Sequence, residues 1–189
     1  MDVKKHGAAA LARVLKVLIT VTFVCNLLLL PCVPLLTLIG RSPEPAYAWD
    51  LMLDLGGAIV TAPFWGFLGI WHQGADVIVL SLFLLFCGGC TAVILWQARR
   101  VLGTVIQGNT FIVENARNMR CAAVCCFLIC AAALARVVWG FFYYASPAPL
   151  FTYNALFVPL FLMGGLLCMV MSALFRQAAE LKEENDLTI

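Results

Sequence analysis

Cys87 and Cys90 bracket two glycines, and this C-x-x-C is the pattern in the chain most capable of chemistry. On a helix the two thiols share a face, and such a pair could exchange electrons as a membrane thiol oxidoreductase. That reaction needs a thiolate, which is costly to form in hydrocarbon. It also needs a second cysteine pair in an outer loop to relay electrons, and residues 40–76 contain no cysteine. Packing is the expected role, with Gly88 and Gly89 letting a neighbouring helix approach. Cys121, Cys125, Cys126 and Cys130 recur at helical spacing, but a metal would need converging, deprotonated ligands. The two histidines, His6 and His72, stand far away in sequence. All nine cysteines fall inside apolar runs, so no disulfide framework is proposed. No catalytic, cofactor-binding or metal-ligating set is expected.

Three polar residues inside or beside apolar runs are of a second kind. Arg136 lies 15 positions beyond Cys121, about 22 Å along a helix. A charge at that depth points to function or to a partner. The nearest acid is Asp76 at the mouth of another apolar run, and the expectation is that Arg136 reaches outward to Asp76 or to carbonyls near Asn154. Asn26, inside the first run, is expected to hydrogen-bond across helices.

These residues must be carried by membrane helices. The 189 residues are 63% hydrophobic and 12% charged, with a mean hydropathy of +0.99. A soluble domain of this size cannot hide so much apolar surface. Four runs, 17–39, 77–96, 121–144 and about 153–175, are long enough to span a bilayer. The fold class expected is all-α: a single polytopic membrane bundle of four transmembrane helices covering 1–189. Ten of the twelve Lys and Arg, among them Lys4, Arg13, Arg99, Arg120 and Arg176, flank the runs on one side. The positive-inside rule makes that side cytoplasmic, with both termini, a helical hairpin at 97–120 and a tail at 176–189. Phe141, Phe142, Tyr143, Tyr144, Phe151 and Tyr153 form an aromatic belt at the other end.

The outer segment 40–76 is the exception to this regularity. Its charge-free stretch from Gly56 to Trp71 is nearly long enough to cross, yet a crossing there would put Arg99, Arg100, Arg117 and Arg120 outside. It reads as interfacial or re-entrant, broken at Pro63, with Trp49, Trp65 and Trp71 at headgroup depth and Asp50 and Asp54 on one polar face. Ala46-Tyr47-Ala48 mimics a signal-peptidase site, but the preceding 23-residue run is too long for a signal peptide, and cleavage is not expected. In the first run, Pro31 and Pro34 are expected to kink the helix.

The hairpin turns at Gly108-Asn109-Thr110, with Thr110 expected to cap a helix starting at Phe111 and Glu114 favourable to its dipole. Its apolar residues could pack on themselves or on a partner. The tail acids Glu180, Glu183, Glu184 and Asp186 could fold back on the hairpin's arginines, with Leu187 and Ile189 as apolar pegs. Phe111, Glu114, Asn115, Arg120, Glu184, Asp186, Leu187 and Ile189 are the candidate docking set.

Two stretches of this face carry a resemblance. Gly108-Asn109-Thr110-Phe111-Ile112-Val113-Glu114-Asn115, followed by Arg120, is similar to a G-x-x-F-x-x-E-N signature, and the acidic tail closes in Asp186-Leu187-Thr188-Ile189. On four spans these resemble the bacterial domain-of-unknown-function 2975 family, although Thr110 stands where that family usually has proline. The resemblance implies a multi-pass protein of the bacterial cytoplasmic membrane. It further implies a partnership with a small Cro/CI-type helix-turn-helix protein, because such genes often neighbour those of the family. It supplies no catalytic residues.

Three function classes follow. A non-enzymatic membrane partner of a soluble regulator is favoured, because the family-like residues are cytoplasmic rather than mid-membrane. A small transporter or channel subunit would show more ionisable residues along a path than Arg136 and Asn26, though a homo-oligomer could build a pore. The thiol oxidoreductase lacks its relay cysteines. No basic, aromatic-interleaved patch suggests direct nucleic-acid binding.

Overall fold

A computed structural model describes residues 2–39, 62–72 and 74–186. Most of the outer segment, with Trp49, Asp50 and Asp54, lies outside the described residues, as do Leu187 and Ile189 and the side chains of Trp65, Tyr153, Asn154 and Asp186. The described chain is helical: α1 (Asp2–Leu29), a 3-10 turn (Leu30–Cys32), α2 (Val33–Ile39), α3 (Ala62–Ile70), α4 (Ala75–Ile106), α5 (Val113–Tyr144), a second 3-10 turn (Ala148–Phe151) and α6 (Tyr153–Asp186). Four stretches are long and apolar enough to cross a membrane, at Ala10–Thr37, Ala75–Ile106, Val113–Tyr144 and Ala155–Asn185. The four expected spans are therefore present, and the helices of the last three continue well beyond their apolar runs. Two compact units divide the chain, Cys25–Gly89 and the remainder.

In the Cys25–Gly89 unit, Pro31 falls in the 3-10 turn that interrupts the first span. Proline has no N–H and cannot continue the α-helical ladder, so the expected kink becomes a local change of helix type. Just beyond it, the Ser81 and Thr37 hydroxyls lie 2.7 Å apart, and Thr37 Oγ1 donates at 2.7 Å to the Pro34 carbonyl. Both hydroxyls are buried. The chain of bonds satisfies two polar groups that hydrocarbon would leave bare. Pro63 stands in the first turn of α3, where a missing N–H costs nothing, and the nine-residue helix reaches only about 14 Å. It packs on α2 so closely that a Cβ on Gly66 would sit 2.8 Å from the Leu35 backbone nitrogen. Gly88 faces the tip of the Leu30 side chain rather than a backbone, and a Cβ on Gly89 would meet nothing within 4 Å.

In the other unit α5 is the central element. Besides Asn115 and Asn118, its buried positions run Ala116, Ala122, Ala123, Cys125, Cys126, Ile129, Ala133, Val137 and Gly140. This is a stripe of mostly small residues at helical spacing, which lets neighbours approach without large voids. α6 runs antiparallel to α5. The Phe127 ring lies where a Cβ on Gly165 would be, at 2.8 Å, and Cys130 Sγ donates at 3.4 Å to the Val158 carbonyl. The Ser172 hydroxyl donates at 2.7 Å to the Ala116 carbonyl. At the aromatic end α5 closes on Ala145, whose φ of 46° is the left-handed stop usually given to glycine. Trp139 and Tyr143 stack there at 4.6 Å, and Phe142 and Phe151 are strongly exposed. The N-terminal part of α1 packs beside α4 through Phe23 and Trp96, with ring centroids 5.7 Å apart.

Gly66→Ala is expected to destabilise the protein by about 1–3 kcal/mol through overpacking against the α2 backbone, and Gly89→Ala to be neutral or mildly stabilising. Thermal unfolding midpoints in detergent check this; equal midpoints for the two variants would refute the close α2–α3 contact.

Candidate functional site

At the basic end, α4 extends past its apolar run to Ile106 and stops on glycine chemistry. Gly108 takes φ +81°, its N–H donates to the Val105 carbonyl at 3.1 Å, and the Asn109 N–H reaches back to Thr104 at 3.0 Å. These are the two bonds of a Schellman stop. The expected turn is there, but the expected cap is not. α5 begins at Val113 rather than Phe111, and its N-cap residue Ile112 is extended with no side-chain cap bond. Asn115, in the first turn of α5, holds the turn by other bonds. Its Nδ2 donates at 2.8 Å to the Thr110 carbonyl, and its Oδ1 lies 2.9 Å from the Thr104 hydroxyl. The Thr104 proton is shared with the Val101 carbonyl at 2.7 Å. Asn115 is fully buried, and its amide ties α4, the turn and α5 together.

Of the candidate docking set, this end brings together four residues. Arg100 and Glu114 form an ion pair at 2.7 Å, both about half exposed, so the pair adds at most about 1 kcal/mol. Phe111 sits 6.3 Å from the Phe175 ring of α6 yet keeps half its surface in solvent. Asn115 is the buried tie, and Arg120 is exposed immediately before the apolar run of α5. The tail through Asp186 continues α6 as helix, with Glu184 exposed on it. Of its acids, Glu180 pairs with Arg176 of the same helix at 2.9 Å. Between α5 and α6 lies a groove of about 560 Å³ carrying Arg117, Arg120, Arg176, Glu180 and Glu183. The groove, Thr104 and Phe175 were not among the sequence candidates. Antiparallel packing of two helices 50 residues apart creates them, and no local motif announces it.

The intramembrane candidates stand apart from this end. Arg136 is half-buried on α5, and Asp76 lies in the first turn of α4, in the other unit. Asn26 leaves its buried Oδ1 without a hydrogen bond among the described residues, so the cross-helix bond expected of it is not formed there. The cysteines are free thiols, Cys87 buried and Cys90 partly so, and Cys126 lies beside Cys168 of the neighbouring helix. Among the described residues no group of His, Cys, Asp or Glu is arranged to hold a metal.

A family model described as a protein of unknown function, DUF2975, matches residues 65–189. The chain belongs to that family. The matched stretch takes in α4, α5 and α6 together with the Gly108–Asn115 turn and the tail, so the residues of the basic end are family residues. No curated protein and no solved structure matches the chain.

Asn115→Ala should cost about 1–3 kcal/mol, because it removes the buried amide that bonds the Thr110 carbonyl and the Thr104 hydroxyl, leaving the hydroxyl only its bond to Val101. Amide hydrogen exchange across 107–113 should accelerate while that of the α5 span stays protected. Unchanged exchange across the turn would show that the amide does not hold it.

Proposed function

We propose that this protein is a non-enzymatic multi-pass component of the bacterial cytoplasmic membrane that docks a small soluble protein on its basic, cytoplasmic end. A small helix-turn-helix regulator is the partner its family resemblance suggests. One observation carries the reading: an apolar tip, Phe111 and Val113, is exposed on a turn made rigid by the buried Asn115 tie. Exposed aromatic side chains on a preorganised backbone bind at low entropic cost. The charged rim around that tip, Arg100 with Glu114, Arg120 and Glu184, supplies orientation more than affinity. The cytoplasmic placement rests on the excess of Lys and Arg at this end. The spans in α1 and α6 are almost wholly exposed, which leaves lipid-facing surface on which a second copy could also pack.

A tagged full-length chain, extracted in detergent, tests the reading against Phe111→Asp and against deletion of residues 186–189. A small helix-turn-helix protein should co-purify with the wild type, and recovery should fall about tenfold with Phe111→Asp, as for a hot-spot aromatic. Undiminished recovery with both variants, or no such protein with the wild type, would overturn the docking surface.

A further inference from the structure

We infer that the groove between α5 and α6 at the basic end is a binding site for the phosphodiester headgroup of one anionic phospholipid. This inference is independent of the soluble partner proposed above. Arg120 stands immediately before the apolar run of α5, and Arg176 immediately after that of α6, so both guanidiniums lie where a span meets the headgroup layer. Arg117, one turn out from Arg120 on the same face, completes a cluster of three around a cavity of about 560 Å³.

The charges of the groove are unequally committed. Glu180 is taken by Arg176 at 2.9 Å, while no described acid pairs with Arg117 or Arg120. Ser172 lines the groove too, but its proton is already given to the Ala116 carbonyl. Two exposed, planar guanidiniums are thus left to bind an anion, and their paired N–H groups match two oxygens of a phosphodiester.

The polarity gradient along the groove selects lipid over a soluble anion. The Ser172–Ala116 bond sets Arg117 and Arg120 beside the apolar wall of Met169 and Ala173, while Glu180 and Glu183 stand one or more turns farther out. A phospholipid can lay chain against that wall, place its phosphate on the arginines beside it and direct its headgroup outward. A soluble anion entering from water would meet the Glu180 and Glu183 carboxylates first and find no use for the apolar wall. Basic pockets between transmembrane helices hold anionic headgroups by this combination of charge and depth.

Native mass spectrometry of the full chain in detergent, with equimolar dioleoyl phosphatidylglycerol and dioleoyl phosphatidylcholine, reads the preference directly. The wild type should retain phosphatidylglycerol over phosphatidylcholine by about tenfold. The Arg117→Gln/Arg120→Gln variant should lose that preference. Arg99→Gln removes a basic charge outside the groove and should keep it, and inorganic phosphate at millimolar excess should not displace the lipid. Equal retention of the two lipids by the wild type, or an equal loss with Arg99→Gln, would overturn the site. Displacement by inorganic phosphate would overturn the lipid assignment in favour of a soluble anion.

Discussion

A hydrocarbon layer offers no partner to a polar group, so each one placed within a span must find its partner inside the protein. Much of this structure follows from that constraint. The backbone meets it by being helical, and hydroxyls and thiols meet it by bonding to carbonyls or to each other. Ser81 and Thr37 do so across two helices, Ser172 ties α6 to α5, and Cys130 spends its proton on Val158. Each bond is modest in water-exchanged terms, about 1 kcal/mol, but each also fixes which faces meet. The small-residue stripe of α5 then lets those faces come close.

The proposed function lies where the helices leave the hydrocarbon. α4 and α5 stay ordered past their apolar runs because the Gly108 stop and the Asn115 amide replace the lost packing with a closed set of hydrogen bonds. That rigidity holds Phe111 exposed on a fixed backbone. The same extension of α5 and α6 brings arginines to the rim of the membrane and acids one or two turns beyond them. The proposed docking tip and headgroup site therefore share Arg120 but few other residues.

The spans were legible in the sequence because hydrophobic runs of this length have one common physical meaning. The turn at Gly108 was legible because a left-handed stop demands glycine. The Asn115 tie is not legible, because local capping rules do not anticipate a buried amide that reaches back five residues to a carbonyl. The Thr37–Ser81 bond was invisible, because a hydroxyl in a run does not reveal a partner 44 residues away. Gly66 and Gly89 look alike in sequence, yet only one of them faces a backbone. The extensions of α4, α5 and α6 were under-read for a simpler reason: apolar content marks where a helix is buried in lipid, not where it ends.

Four crossings, with the hairpin and both termini on one face, are the claim on which the docking and headgroup surfaces both stand. Alkaline phosphatase fused after Asn109 and, separately, after Ser146 tests it, since the enzyme is active only outside the cytoplasm. Four crossings with the basic end inward give inactive enzyme at Asn109 and active enzyme at Ser146. Activity at Asn109 with none at Ser146 would mean that the segment before α4 also crosses, or that the basic end faces out, and would contradict the architecture.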